Sequence, residues 1–206
     1  LVSGAGVLYA VRMGLEGLGP DINDSDWPYS GKGQTVRVGL QQLRGVRQET
    51  LRGLIEERRR SGPFDSLGEF LERVPIPTAE ATILVKSGAL DSLAGTLNRP
   101  QLLWFVHSWI NRNDSPGGRH QGQLVAGGRR TDGGPAVPRL PDFSLWQTWR
   151  QEMEVFGFVL STHPLALYQS SLARPVGRQL VPAAELPRYV GQRVRVVGWP
   201  ITRKEV

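Results

Sequence analysis

VRVGLQQLRGVRQETLRGLIEERRR, Val36 to Arg60, reads as an extended or short helical lead-in, a tight turn at Leu43-Arg44-Gly45-Val46, and a long helix starting near Gln48. A glycine at Gly45 lets the backbone bend sharply, while Leu43 and Val46 anchor the two sides of the turn in one small core. The first N–H groups of the helix after the turn have no intrahelical acceptor and lie at the positive end of its dipole, which makes that end suited to an anion. Arg44 and Arg47 bracket the turn, so Arg44, Gly45, Val46, Arg47 and Gln48 form a candidate anion site. The same residues also suit a solvated face on an ordinary helical domain. Within the helix, Leu51, Leu54 and Ile55 fall at i, i+3 and i+4 and give an apolar stripe. The run Glu56 to Arg60 places cations where the dipole favours them, so much of it is expected to be structural.

Working outward, Ser61-Gly62-Pro63 stops this helix. Asp65 or Ser66 then caps a second one, whose Leu67, Phe70, Leu71 and Val74 make a buried face. Thr78 is expected to cap a third, in which Ile83, Leu84 and Val85 run into another glycine turn, Ser87-Gly88-Ala89-Leu90. After Asn98 a fourth helix carries Leu102, Leu103, Phe105, Val106 and Trp109. Helix, glycine turn and helix thus occur twice, and the pattern resembles a tandem helix-hairpin-helix. That resemblance implies a grip on a nucleic-acid backbone without reading of bases, with Lys86, Gly88 and Ala89 as the second candidate set. Lys86 is the one cation near the second turn, which on that count suits packing more than binding. Such hairpins usually carry two glycines around the central apolar residue. Here Arg47 takes the second place, which gives up some close backbone approach and partly offsets it with a cation.

Composition narrows the remaining classes. The 206 residues carry a net charge of +6 and no cysteine, which excludes disulfides and thiolate metal sites and fits a reducing cytoplasm. No apolar run approaches the roughly 20 residues needed to cross a bilayer, so no membrane partner is expected. Charge is uneven along the chain. Arg12 against Glu16, Asp21, Asp24 and Asp26 leaves the first 30 residues at −3, whereas residues 170–206 stand at +5. A short helix is read over residues 5–15, ended by Gly19-Pro20. Asp21, Asn23, Asp24 and Asp26 crowd before Pro28. They could hold Mg²⁺, but side chains bonding their own backbone in consecutive turns explain them better. Residues 113–141 are rich in Gly, Pro and charge and read as a flexible linker. Phe143 to Leu160 reads as a helix with Trp146, Trp149, Met153 and Phe156 as its apolar face. His107, His120 and His163 lie far apart and suggest neither a metal site nor a nucleophile system. Arg193 to Gly198 alternates basic and apolar residues, as a half-exposed strand does.

Three blocks in order, residues 36–74, SGALDSL at 87–93 and EMEVFGFVLSTHPL at 152–165, resemble the C-terminal half of the alpha subunit of bacterial DNA polymerase III and its error-prone paralogues. The segment PDINDSDW at 20–27 is similar to the join between the fingers region and the hairpin domain in that family. The resemblance implies a mainly α fold: a connector at 1–35, a tandem helix-hairpin-helix domain at 36–112, a linker at 113–141, a helix and connector at 142–169, and the start of an incomplete OB-fold at 170–206. It implies a fragment without catalytic residues, metal or cofactor of its own, cut from a polymerase that uses Mg²⁺ for nucleotidyl transfer. The implied partners are duplex primer-template DNA, the sliding clamp and other replisome subunits, in the nucleoid-associated cytoplasm of a bacterium. A clamp-docking peptide would fall at Gln121 to Val125, which lacks the aromatic anchor of such motifs. A helical adaptor that docks proteins on the Trp-rich helix is the alternative.

Overall fold

The computed structural model describes residues 13–114, 135–162, 164–168 and 180–198. It divides into two compact units, Leu1–Ser161 and Thr162–Val206. The clamp-peptide segment at Gln121 to Val125, His120 and His163 lie outside the described residues, as does most of the helix read at 5–15.

The larger unit is mainly helical. Its first element, however, is a three-stranded sheet that no sequence pattern announces: β1 (Glu16–Leu18), β2 (Ser30–Lys32) and β3 (Thr35–Arg37) in the order β1-β3-β2. β3 lies parallel to β1, with Glu16 opposite Thr35, and antiparallel to β2, with Ser30 opposite Arg37. Three residues per strand are too few for an alternating pattern to show, and the β1–β3 pairing is non-local. Between β1 and β2 the acidic cluster folds as consecutive turns. The Asp21 carboxylate accepts the N–H groups of Asn23 and Asp24, and the Ser25 hydroxyl accepts the N–H of Asp21. The Asn23 amide exchanges two hydrogen bonds with the backbone of Phe64, both 2.9 Å, and so ties this segment to the helical layer.

Five α-helices come next: α1 (Gln48–Ser61), α2 (Leu67–Arg73), α3 (Thr78–Ser87), α4 (Arg99–Asp114) and α5 (Leu145–Phe156). The expected stripe Leu51, Leu54 and Ile55 is buried, as are Leu67, Phe70, Leu71 and Val74. Ser66 caps α2 by accepting the N–H of Glu69. Thr78 is not a cap but the first residue of α3, whose N-cap is Pro77; the Thr78 carbonyl accepts the hydroxyl of Thr82. Arg73 knots α2 to the end of α1, reaching Glu57, Glu69 and the carbonyl of Gly62. Desolvation raises the Glu57 carboxyl, but hydrogen bonds from Arg73 and Ser61 and the charge of Arg60 outweigh it and hold it below its usual range. Glu69 is also lowered, first by the N–H of Asp65 and then by Arg73. The arginine run is structural in part: Arg58 donates to the Ile22 carbonyl and lies 3.7 Å from Asp26, while Arg60 pairs with Glu57.

Two expectations change. Residues 135–141, the expected end of the linker, run along α4: the carbonyls of Ala136, Pro138 and Leu140 accept from Trp104, Gln101 and Asn98, and Val137 enters the core. The face of α5 is also rotated in part: Phe156 is buried as expected and Trp149 half-buried, but Trp146 and Met153 are not. Glu152, Val155 and Phe156 are its buried residues, while Trp146 and Met153 are 47% and 37% exposed. Glu152 points inward because its carboxylate accepts the N–H groups of Leu160 and Ser161, closing the turn after the helix. A Ser144/Gln147 capping box starts α5, and Gly157 in the left-handed region ends it.

In the smaller unit the described residues form 3-10 helices at Pro164–Tyr168 and Ala183–Tyr189. The alternating stretch Arg193 to Gly198 contributes one parallel bridge, Leu180 to Arg195, rather than a strand. A single rung fixes a strand only locally.

Candidate nucleic-acid interface

The first glycine turn is built by its neighbours. Leu43 and Val46 are buried as anchors, and Gly45 has φ +87°, a region in which an L side chain is strained. A Cβ there would also stand 2.7 Å from Ile83 Cδ1, so the turn rests directly on α3. α1 begins at Gln48 with Arg47 as an N-cap that makes no side-chain capping bond. The first helical bond is Leu51 N–H to the Arg47 carbonyl. Among the described residues the N–H groups of Arg47, Gln48, Glu49 and Thr50 therefore have no acceptor. These four donors sit at the positive end of a 14-residue helix.

Two arginines flank these donors and are seated differently. Arg44 is exposed, its N–H donates to the Val155 carbonyl, and its guanidinium lies over Gly157, where a Cβ would overlap it. A cation at the C-terminus of α5 is favourable, so α5 holds Arg44 beside the turn. Arg47 donates through Nε to Glu80 Oε1 at 2.6 Å. Its side chain is 64% exposed, whereas that of Glu80 is 8% exposed. Glu49 is the acidic residue of the first turn of α1 and tempers the local positive charge.

The second turn uses the same glycine geometry to a different end. Gly88 caps α3 at φ +81°, and its N–H and that of Ala89 return to the carbonyls of Val85 and Leu84. Ala89 is fully buried, and its carbonyl accepts the N–H of Ile22. A Cβ on Gly88 would overlap Arg99, which pairs with Asp91 at 2.7 Å. Lys86 is bound to Glu154 of α5 through both carboxylate oxygens. The start of α4 is closed by a reciprocal cap: Asn98 N–H donates to the Gln101 side chain, and Gln101 N–H donates to the Asn98 side chain. Pro100 has no N–H to offer.

The two candidate sets thus stand within one helical unit, joined through α3. Ile83 underlies Gly45, and Gly88 comes five residues later, roughly 7.5 Å along the axis. Sequence reasoning missed Glu80 and the part played by α5. Glu80 sits three residues into α3, a position common for a surface carboxylate. Nothing local ties Val155 and Gly157 to Arg44 across the chain.

The helix-hairpin-helix motif family matches residues 14–102, which spans both turns. The chain is 31% identical to the DNA polymerase III subunit alpha of Thermus aquaticus over 77% of its own length. It is 29% identical to the DNA polymerase III subunit alpha of Xylella fastidiosa over 90% of its length. The chain belongs to the DNA polymerase III alpha family. It is also 25% identical, over 79% of its length, to the error-prone DNA polymerase of Bdellovibrio bacteriovorus, so the family likeness extends to that branch. The chain spans 13% to 16% of the length of these relatives. Within the family, then, it corresponds to a fragment that contains the helix-hairpin-helix region.

Proposed function

We propose that this segment grips the phosphate backbone of duplex DNA, without regard to sequence, for a bacterial polymerase of the DNA polymerase III alpha family. The observation that carries the reading is the row of four N–H groups from Arg47 to Thr50 that have no acceptor among the described residues, with the exposed arginines Arg44 and Arg47 in the turn that leads into it. Phosphate oxygens are the acceptors such a row suits, and contacts to phosphate carry no base information. The first turn, Arg44 to Gln48, is the gripping site. Lys86, Gly88 and Ala89 serve the second turn as packing, since Lys86 is neutralised by Glu154 and the other two are enclosed.

The same reading places nucleotidyl transfer and its Mg²⁺ in other parts of the polymerase, with primer-template DNA as the partner in the bacterial nucleoid. The sliding clamp and other replisome subunits are further partners of that assembly. Primer extension by this segment with Mg²⁺ is expected to stay at the level of a protein-free blank. The direct test is binding to two duplexes of unrelated sequence across a salt series. Equal affinities that fall steeply with salt support the reading, and salt-independent or sequence-selective binding overturns it.

A second reading, a docking helix for another protein, is favoured by one observation: Leu145, Trp146 and Met153 expose apolar surface on α5. If Trp146→Ser and Met153→Ser abolish association with replisome proteins while duplex binding persists, α5 serves that separate role.

A further inference from the structure

Arg47 carries a tension that the phosphate reading leaves open. It is a cation at the N-terminus of α1, where the dipole disfavours positive charge, and it occupies the place where a hairpin of this kind usually has a glycine. Yet it does not cover the open N–H row. Glu80 Oε1 takes its Nε at 2.6 Å from a buried position in the first turn of α3, where the dipole of that helix favours a carboxylate. The other oxygen, Oε2, is buried without a hydrogen-bond partner. Held by Nε alone, the guanidinium keeps Nη1 and Nη2 with no acceptor among the described residues, and the side chain remains 64% exposed.

We infer that Glu80 is a positioning residue for DNA binding: it draws the Arg47 side chain off the backbone of the turn and presents its terminal nitrogens to a phosphate beside the Gln48 N–H. The inference rests on the phosphate reading of the first turn and deepens it. Arginine loses much rotamer freedom when it binds, and a side chain already held in place loses less on contact. Electrostatics alone points the other way, since a carboxylate near a phosphate repels it. Here the guanidinium stands between the two. The separation is roughly 7 Å, two hydrogen-bond lengths plus the guanidinium, and the arginine charge between the two offsets their repulsion. Positioning therefore outweighs repulsion, and removal of this negative charge weakens binding to a polyanion.

The test measures duplex affinity by fluorescence anisotropy over a salt series for the wild type and for Glu80→Ala, Glu80→Gln, Arg47→Ala, Arg44→Ala and the Arg47→Ala/Glu80→Ala pair. Glu80→Ala is expected to bind about five-fold more weakly near 0.15 M salt and to lose up to about 0.9 from the slope of log K against log salt, the share of one phosphate contact. Glu80→Gln keeps an acceptor oxygen for Nε and should fall between Glu80→Ala and wild type. In the Arg47→Ala background, Glu80→Ala should cost nothing further, which a general loss of structure would not reproduce. Tighter binding by Glu80→Ala, or an equal loss in both backgrounds, overturns the inference. Should Glu80→Ala fail to fold, Glu80→Gln decides alone by the same criteria. If the wild type does not bind, or Arg44→Ala leaves the slope unchanged, the phosphate reading fails and the inference goes with it. If Arg44→Ala lowers the slope and the Glu80 variants do not, only the positioning role is lost.

Discussion

Gly45 and Gly88 both hold left-handed backbone, at φ +87° and +81°, and both precede a helix whose apolar face enters the same core. Around Gly88 the glycine N–H, the cations and the helix caps are engaged: its N–H bonds the end of α3, Arg99 pairs with Asp91, Lys86 with Glu154, and Asn98 and Gln101 cap α4 between them. Around Gly45 the donors are left over, because Arg47 makes no cap and its guanidinium is drawn sideways by Glu80. A helix start costs stability when uncapped, typically about 1 kcal/mol. On the proposed reading, the turn that forgoes this contribution takes the ligand and the turn that secures it serves packing.

Substituting the glycines should separate the two most strongly. Gly88→Val would force a β-branched residue into left-handed backbone and into the space of Arg99, so stability should fall by about 2 kcal/mol or more, with the salt slope of the folded fraction unchanged. Gly45→Val meets the same backbone strain and Ile83 Cδ1 at 2.7 Å, but it also crowds the phosphate path, so duplex affinity should drop by more than ten-fold, or roughly 1.4 kcal/mol. Denaturation curves together with anisotropy read both effects. Equal loss of affinity from the two substitutions would end the distinction between binding turn and packing turn.

The cations give the next largest contrast. Replacing Arg44 and Arg47 together by alanine should lower the magnitude of the salt slope by roughly 2, about one unit per phosphate contact. Lys86→Ala with Arg99→Ala removes the same formal charge from the second turn and should leave the slope within error, because the terminal nitrogens of both already bind a carboxylate and their side chains are only 25% exposed, whereas Arg47 is held through Nε alone. An unchanged slope for the first pair would make the Gly45 turn another packing turn.

How much is legible in the sequence depends on the range of the signal. The 3.6-residue stripes of α1, α2 and α4 and both glycine turns are local patterns, and they fold as read. The face of α5 is not legible in this way: Trp146 and Met153 look like core residues, while the residue that sets the rotation is Glu152, turned inward by N–H groups eight and nine residues later. The β1-β3-β2 sheet consists of three-residue strands whose pairing is non-local, and the docked run at 135–141 is held by side chains of α4. At the site, Arg44 and Arg47 are readable as cations. Their orientation is not, since Val155, Gly157 and Glu80 supply it from distant parts of the chain.

Asn98→Ala should have a smaller effect, confined to the second turn. Loss of the reciprocal cap with Gln101 is expected to cost about 1 kcal/mol in urea unfolding. Duplex affinity should stay as it was. A gain in salt slope on uncapping α4 would mean that any open helix start in this fold takes a phosphate, and would weaken the assignment to the first turn alone.

The smallest expected effect tests whether the first turn acts independently of the far end of its own helix. Arg73 holds Glu57, roughly 13.5 Å from Gln48 along α1, together with Glu69 of α2. Both carboxyls lie below their ordinary value of 4.5 in the folded chain. A lowered value means that the folded state holds its proton less tightly than the unfolded chain, so these groups contribute stability above 4.5. That contribution is lost as the pH falls through the lowered folded values. The wild type should therefore lose melting temperature more steeply as the pH falls below 4.5 than a Glu57→Gln/Glu69→Gln variant, and the difference between the two curves isolates this pair from the other carboxylates. Glu69 is partly exposed, and desolvation opposes the lowering at Glu57, so the gap should be modest. At neutral pH the variant should keep the wild-type salt slope with duplex DNA, because neither carboxylate faces the N–H row. A changed slope would show that the two ends of α1 are coupled, and the contrast between the turns would then have to include the Arg73 knot.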